Sequence, residues 1–196
     1  QFCGGFYQRL PETMCMGYFW TEVATKGEQW CPVSSECKDL KSGKEDRGSK
    51  YKLCTGNERK LSSKTPRQIY QYAKSHHLDV GVLAKMAYPV ARRVPWEKAK
   101  QYWKHPRFTN LTQPEKFYVE KIAKSGKPHI VDSEGGGPPF AIVQGTTAYE
   151  VRLNEMWIMV FQTNGGDIWE DPSKLTDVVC VAGCPAKDLE GNAQKL

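Results

Sequence analysis

Phe140-Ala-Ile-Val-Gln-Gly-Thr-Thr-Ala-Tyr-Glu-Val-Arg-Leu-Asn-Glu-Met-Trp-Ile-Met-Val-Phe-Gln162 is the stretch that decides the fold class. Three runs inside it read as strands: Phe140 to Gln144, Ala148 to Leu153 and Met156 to Gln162. Each is short, rich in β-branched or aromatic residues, and bounded by turn formers. Asn154-Glu155 separates the clearest hairpin pair. His129 to Asp132 upstream and Asp177 to Ala182 downstream add two more strands. Ser133-Glu-Gly-Gly-Gly-Pro-Pro139 between them is a loop with few backbone restraints before its prolines.

Working outward, the segment before this sheet is helical. Thr65-Pro66 pairs a capping residue with a proline suited to the first turn, and Ile69, Tyr72 and Ala73 follow at helical spacing. A short helix after Asp79 takes in Val82, Leu83 and Met86. Pro95 opens a third, with Trp96, Ala99 and Trp103 on one face. Thr112 and Glu115 have the spacing of a capping box, with Phe117 to Ala123 as body and Gly126 beyond the end.

The N-terminal region is rich in cysteine and aromatics, with short strands expected at Gly5 to Leu10 and Met16 to Ala24. Residues 38–64 read as an exposed Lys-, Ser- and Gly-rich loop pinned by Cys37 and Cys54. Residues 185–196 read as a polar, mobile tail. The expected fold is therefore α+β and disulfide-stapled: N-terminal Cys-rich strands, central helices and a C-terminal antiparallel sheet. One domain over 1–184 is expected. The alternative is a Cys-rich module over 1–54 followed by a helix-plus-sheet domain over 55–184.

The seven cysteines are Cys3, Cys15, Cys31, Cys37, Cys54, Cys180 and Cys184. No CxxC pair points to zinc, so disulfides and an oxidising, extracellular compartment are expected. With an odd number, the expectation is three bridges and one odd thiol. One bridge should join residues 1–54 to Cys180 or Cys184, stapling the chain ends. The chain begins at Gln1, as processed secreted chains often do, and Asn110-Leu111-Thr112 is a glycosylation sequon. The longest apolar run, Met156 to Phe161, is far short of the about 20 residues that span a membrane.

Charge is divided along the chain. Residues 1–131 hold 24 Lys and Arg against 12 Asp and Glu, whereas residues 132–196 hold 4 against 10. The basic and aromatic segment 92–108 offers Arg92, Arg93, Lys98, Lys100 and Lys104 as a possible binding surface for nucleic acid or another polyanion. The spacing of Trp96, Ala99 and Trp103 instead makes the aromatics a core stripe. Of the four histidines, His76 and His77 suit a helix end, and His105 reads as exposed. His129, with Glu120, Asp132 and Glu134 nearby in sequence, is the candidate for acid–base chemistry. No hydrolase, nucleotide or metal motif is present, so no cofactor or metal is expected.

The whole-chain pattern resembles secreted fungal effectors of plant pathogens: cysteines near both ends, many aromatics and no enzyme motif. That resemblance implies a secreted, non-enzymatic protein engaging a host protein. Residues 117–163 resemble guanyl-specific microbial ribonucleases and effectors derived from them. The resemblance rests on Phe117-Tyr-Val-Glu120, then Gly136-Gly-Pro-Pro-Phe-Ala-Ile-Val143, then a hairpin. It would make Glu120 a general base. The family's strand arginine and late histidine have no counterpart, so no catalytic residue is carried over. The alternatives are a ribonuclease-like hydrolase centred on Glu120 and His129, with Arg152 completing the pocket, and an inhibitor or toxin module whose loop at 38–54 enters a partner's cleft.

Overall fold

A computed structural model describes residues 9–10, 14–17, 29–40, 43, 45–46, 49–55, 58–107, 109–163, 170–187 and 189. Among these residues it is an α+β fold with two sheets and two disulfides. Most of the expected strands at Gly5 to Leu10 and Met16 to Ala24, and Cys3, lie outside the described residues.

The N-terminal sheet has strands β1 (Met16–Gly17), β2 (Gln29–Val33), β3 (Glu45–Asp46) and β4 (Ser49–Leu53), in the order β1-β2-β4-β3. All its pairings are antiparallel. The stretch read as a loop at 38–64 thus carries a hairpin and a 3-10 turn, Leu61–Ser63. Lysine density hid it: β4 is Ser-Lys-Tyr-Lys-Leu, an interior strand whose two lysines are half-buried. Gly43 lies against it, where a Cβ would sit 1.9 Å from the Tyr51 carbonyl oxygen. Cys54 bonds Cys15 rather than pinning a loop with Cys37.

Four helices follow the expected starts. In α1 (Pro66–Ser75) the Thr65 hydroxyl accepts from the Gln68 N–H, and the Gln68 side chain reaches back to the Thr65 N–H. In α2 (Val80–Ala87) the Asp79 carboxylate accepts from the Val82 N–H at 2.7 Å. In α4 (Gln113–Lys124) Thr112 and Glu115 form the capping box. Between them, α3 (Trp96–Lys104) buries Trp96, Ala99 and Trp103, as their spacing predicts.

The second sheet runs β5 (Val90–Ala91), β6 (His129–Val131), β7 (Phe140–Gln144), β8 (Thr147–Leu153) and β9 (Thr176–Ala182), in that order. It is antiparallel except for β5 beside β6. Gly145, at φ 59°, opens the two-residue β7–β8 turn, where a positive φ suits glycine. Alternation along β7 divides the core. Phe140 and Ile142 join Ile69, Leu83 and Ala84 of α1 and α2. Ala141 and Val143 join Trp96, Ala99, Val119 and Ile122 of α3 and α4. Helices therefore cover both sheet faces, which explains the continuous apolar run of β7.

Two expectations fail in this half. Met156 to Gln162 is not a strand: it lies in helix α5 (Glu155–Thr163). Asn154, read as a hairpin turn, is its cap, accepting from the Trp157 N–H at 3.0 Å. The true partner of β8 beyond β7 is β9, reached through α5. The tail after Pro185 is not wholly free either, because Leu189 is buried in the same core cluster as Met14 and Met16.

The end-to-end disulfide does not form. Cys180 bonds Cys184, closing a hook at the end of β9, and Cys15 bonds Cys54. Cys31 is buried, and the half-buried Cys37 thiol lies 3.5 Å from the Asp39 carbonyl oxygen. Among the described residues no helix is long and apolar enough to cross a membrane.

Candidate functional site

The acid–base candidates are dispersed by the sheet register. His129 pairs with Val143, and Val143 with Ala148. Arg152 lies four residues further along β8, opposite Asp177, or about 13 Å away at strand rise. Glu120, on α4, pairs with Lys124 at 3.5 Å. His129 Nδ1 sits 2.9 Å from the Lys127 carbonyl oxygen. Among the described residues, no group of three or more His, Cys, Asp or Glu could hold a metal ion.

The basic segment is largely committed to carboxylates of its own chain. Lys98 Nζ is 2.6 Å from Glu115, Lys100 Nζ 2.5 Å from Glu150, and Arg92 Nε 3.5 Å from Asp132. The Arg93 guanidinium lies 5.6 Å from the Tyr118 ring centroid. Lys104 is exposed, as is Asn110 of the sequon. The Lys98 hydrogen bond, with those from Thr112, lowers the Glu115 carboxyl to about 2.

Two buried carboxylates organise this half: Glu150, which sequence reasoning does not single out, and Asp132, which it places only as a neighbour of His129. Glu150, 3% exposed, faces α3 from β8. It accepts from Trp96 Nε1 at 2.7 Å and pairs with Lys100 and Arg152. Burial pushes its carboxyl up, but the hydrogen bonds from Lys100, Trp96 and Arg152 outweigh that and hold it below the ordinary range. Asp132, 1% exposed, pairs with Lys85 Nζ at 2.5 Å. The same ammonium donates to the Gly136 carbonyl at 2.7 Å and lies 4.2 Å from the Phe140 ring centroid. The glycine-rich loop is thus tied to the α2–β6 junction. A charged residue on the otherwise apolar alternation of β8 was the signal available for Glu150.

Among the described residues, the large apolar side chains left exposed are Phe117 on α4, Val179 on β9 and a group at α5. Along α5, Met156 is 74% exposed, Met159 63% and Val160 49%, and Leu153 at the end of β8 is 49% exposed. Positions 156, 159 and 160 share a helix face, and Leu153 precedes it by one turn's spacing. Trp157 and Ile158, on the other side of the helix, are half-buried. Single exposed apolar residues are ordinary, but here four lie within eight residues of sequence. Its sequence signal, the run Met156 to Phe161, was spent on a core strand. No family model matches the chain, and no match was found among curated proteins or solved structures.

Proposed function

We propose that this is a secreted, non-enzymatic protein that engages another protein, in the manner of a pathogen effector acting on a host. The exposed apolar shelf of Leu153, Met156, Met159 and Val160 carries the proposal. Methionine side chains are flexible and polarisable, and they suit a surface that must adapt to a partner. The effector-like composition and the two disulfides support an oxidising, extracellular setting. The buried carboxylates support it too, because Glu150 and Asp132 are held by cations of the same chain.

The test is capture from extracts of candidate host tissue with three proteins: the wild type, Met156→Ser/Met159→Ser, and Lys121→Glu/Lys124→Glu. The expected outcome is a partner retained by the wild type and the lysine variant but lost by the methionine variant, with all three melting alike. A partner lost only with the lysine variant would move the interface to α4 and overturn the proposal.

A further inference from the structure

The apolar shelf sits in the acidic part of the chain, and that fixes the chemistry of what it can hold. Residues 153–179 contain five acidic side chains and one basic. Glu155 lies on α5 itself, one helical turn before Met159, and is exposed. Asp177 is exposed on β9, one residue beyond the Leu153–Thr176 pair and in register with Arg152. Glu170, also exposed, leads into the 3-10 turn Pro172–Lys174 that precedes β9. Glu155 and Asp177 have no ion-pair partner among the described residues, whereas Lys174 is taken by Asp171 at 3.4 Å, Arg152 by Glu150, and the Arg9 guanidinium donates to the Glu170 and His77 carbonyl oxygens. The nearby cations are therefore satisfied and the rim keeps its negative charge.

Resting on the interaction reading above, we propose that the α5 shelf binds a basic amphipathic helical segment of the partner. Such a segment would lay its apolar side chains on Met156, Met159, Val160 and Leu153 and bring Lys or Arg to Glu155 and Asp177. Apolar anchors at helical spacing supply the affinity, and rim charges supply orientation and association rate. An anionic lipid surface or nucleic acid would be repelled by the same rim.

The experiment uses the full disulfide-bonded protein and labelled peptides of about 18 residues, five helical turns. One is an amphipathic Leu/Lys peptide, the second its Leu/Glu twin, and the third a scrambled Leu/Lys peptide of equal composition. Anisotropy titrations should show the Leu/Lys peptide binding at least about tenfold more tightly than either control. Met159→Ser should weaken it by a similar factor, and Glu155→Lys should weaken it and flatten its salt dependence. Equal or tighter binding of the Leu/Glu twin, still lost in Met159→Ser, would overturn the basic partner and leave the shelf as an interface. Binding of the scrambled peptide equal to that of the amphipathic one would show a charge effect alone and overturn the helical segment. Leu/Lys binding unchanged by Met159→Ser would remove the shelf from the interaction, and with it the reading beneath. Cosedimentation of the protein with zwitterionic phosphatidylcholine vesicles, abolished by Met159→Ser, would assign the shelf to lipid instead.

Discussion

At the scale of single residues, Glu150 shows how this fold uses charge. A carboxylate 3% exposed is tolerated because three donors from Trp96, Lys100 and Arg152 converge on it. Removing the carboxylate leaves the buried Trp96 Nε1–H without an acceptor, at about 1–3 kcal/mol, while Lys100 and Arg152, 30% and 47% exposed, can turn to solvent. Glu150→Ala should lose stability on that scale in urea unfolding at neutral pH. The pH dependence has a definite sign. The folded carboxyl is held below its ordinary 4.5, so its contribution is complete above that value and is lost as pH falls through the lower folded pKa. The gap between wild type and Glu150→Gln should therefore narrow on acidification, and a gap that widened would contradict the assignment. Trp103, 6% exposed, donates to the Gly145 carbonyl at 3.1 Å. Trp103→Ala should cost about 3–5 kcal/mol, as large aromatic truncations in cores do. An unchanged thermal melt would place the tryptophan outside the core.

At the scale of elements, helix starts decide much of the architecture. Asp79 caps α2 and also accepts from the Thr176 hydroxyl at 2.9 Å, so one carboxylate joins a helix start to the start of β9. Burial raises its pKa, which makes the ionised form a cost to the fold as pH rises through that raised value. Asp79→Asn keeps a capping oxygen without the buried charge and should match or exceed wild-type stability at neutral pH. Asp79→Ala should lose about 1–2 kcal/mol. Paired melts of the two variants check this. Capping residues are also where the sequence was most legible. Thr65 with Gln68 and Thr112 with Glu115 announced α1 and α4, and Phe140–Gln144 read correctly because both its faces are buried. Met156 to Gln162 misled because an apolar run of that length fits a buried strand or a helix equally well. Only the Asn154 cap separates the two. The β3–β4 hairpin was hidden by its lysines. Of the candidate site, neither the Glu150 cluster nor the α5 shelf was legible, since both depend on which elements meet across the fold.

At the scale of the molecule, cross-links and charge division set the behaviour. Cys15–Cys54 closes a loop of sequence separation 39, and the chain-entropy relation gives it about 4 kcal/mol. Cys54→Ser should lose stability on that order, and peptide mapping should recover Cys15–Cys54 and Cys180–Cys184 as separate bridges. The acidic end does not simply neutralise the basic body. It buries some carboxylates against the body's lysines and leaves others around an apolar shelf that no described element covers. The five methionines provide an internal control for that shelf. Met14, Met16 and Met86 are buried, at 3%, 0% and 4% exposure, while Met156 and Met159 are exposed. Brief peroxide oxidation of the isolated monomer, read methionine by methionine by mass spectrometry, tests the central claim most directly. Rapid sulfoxide formation at Met156 and Met159, with Met14, Met16 and Met86 protected, is the predicted result. Protection of Met156 and Met159 to the level of the buried three would mean that the chain covers its own shelf, and would contradict the account.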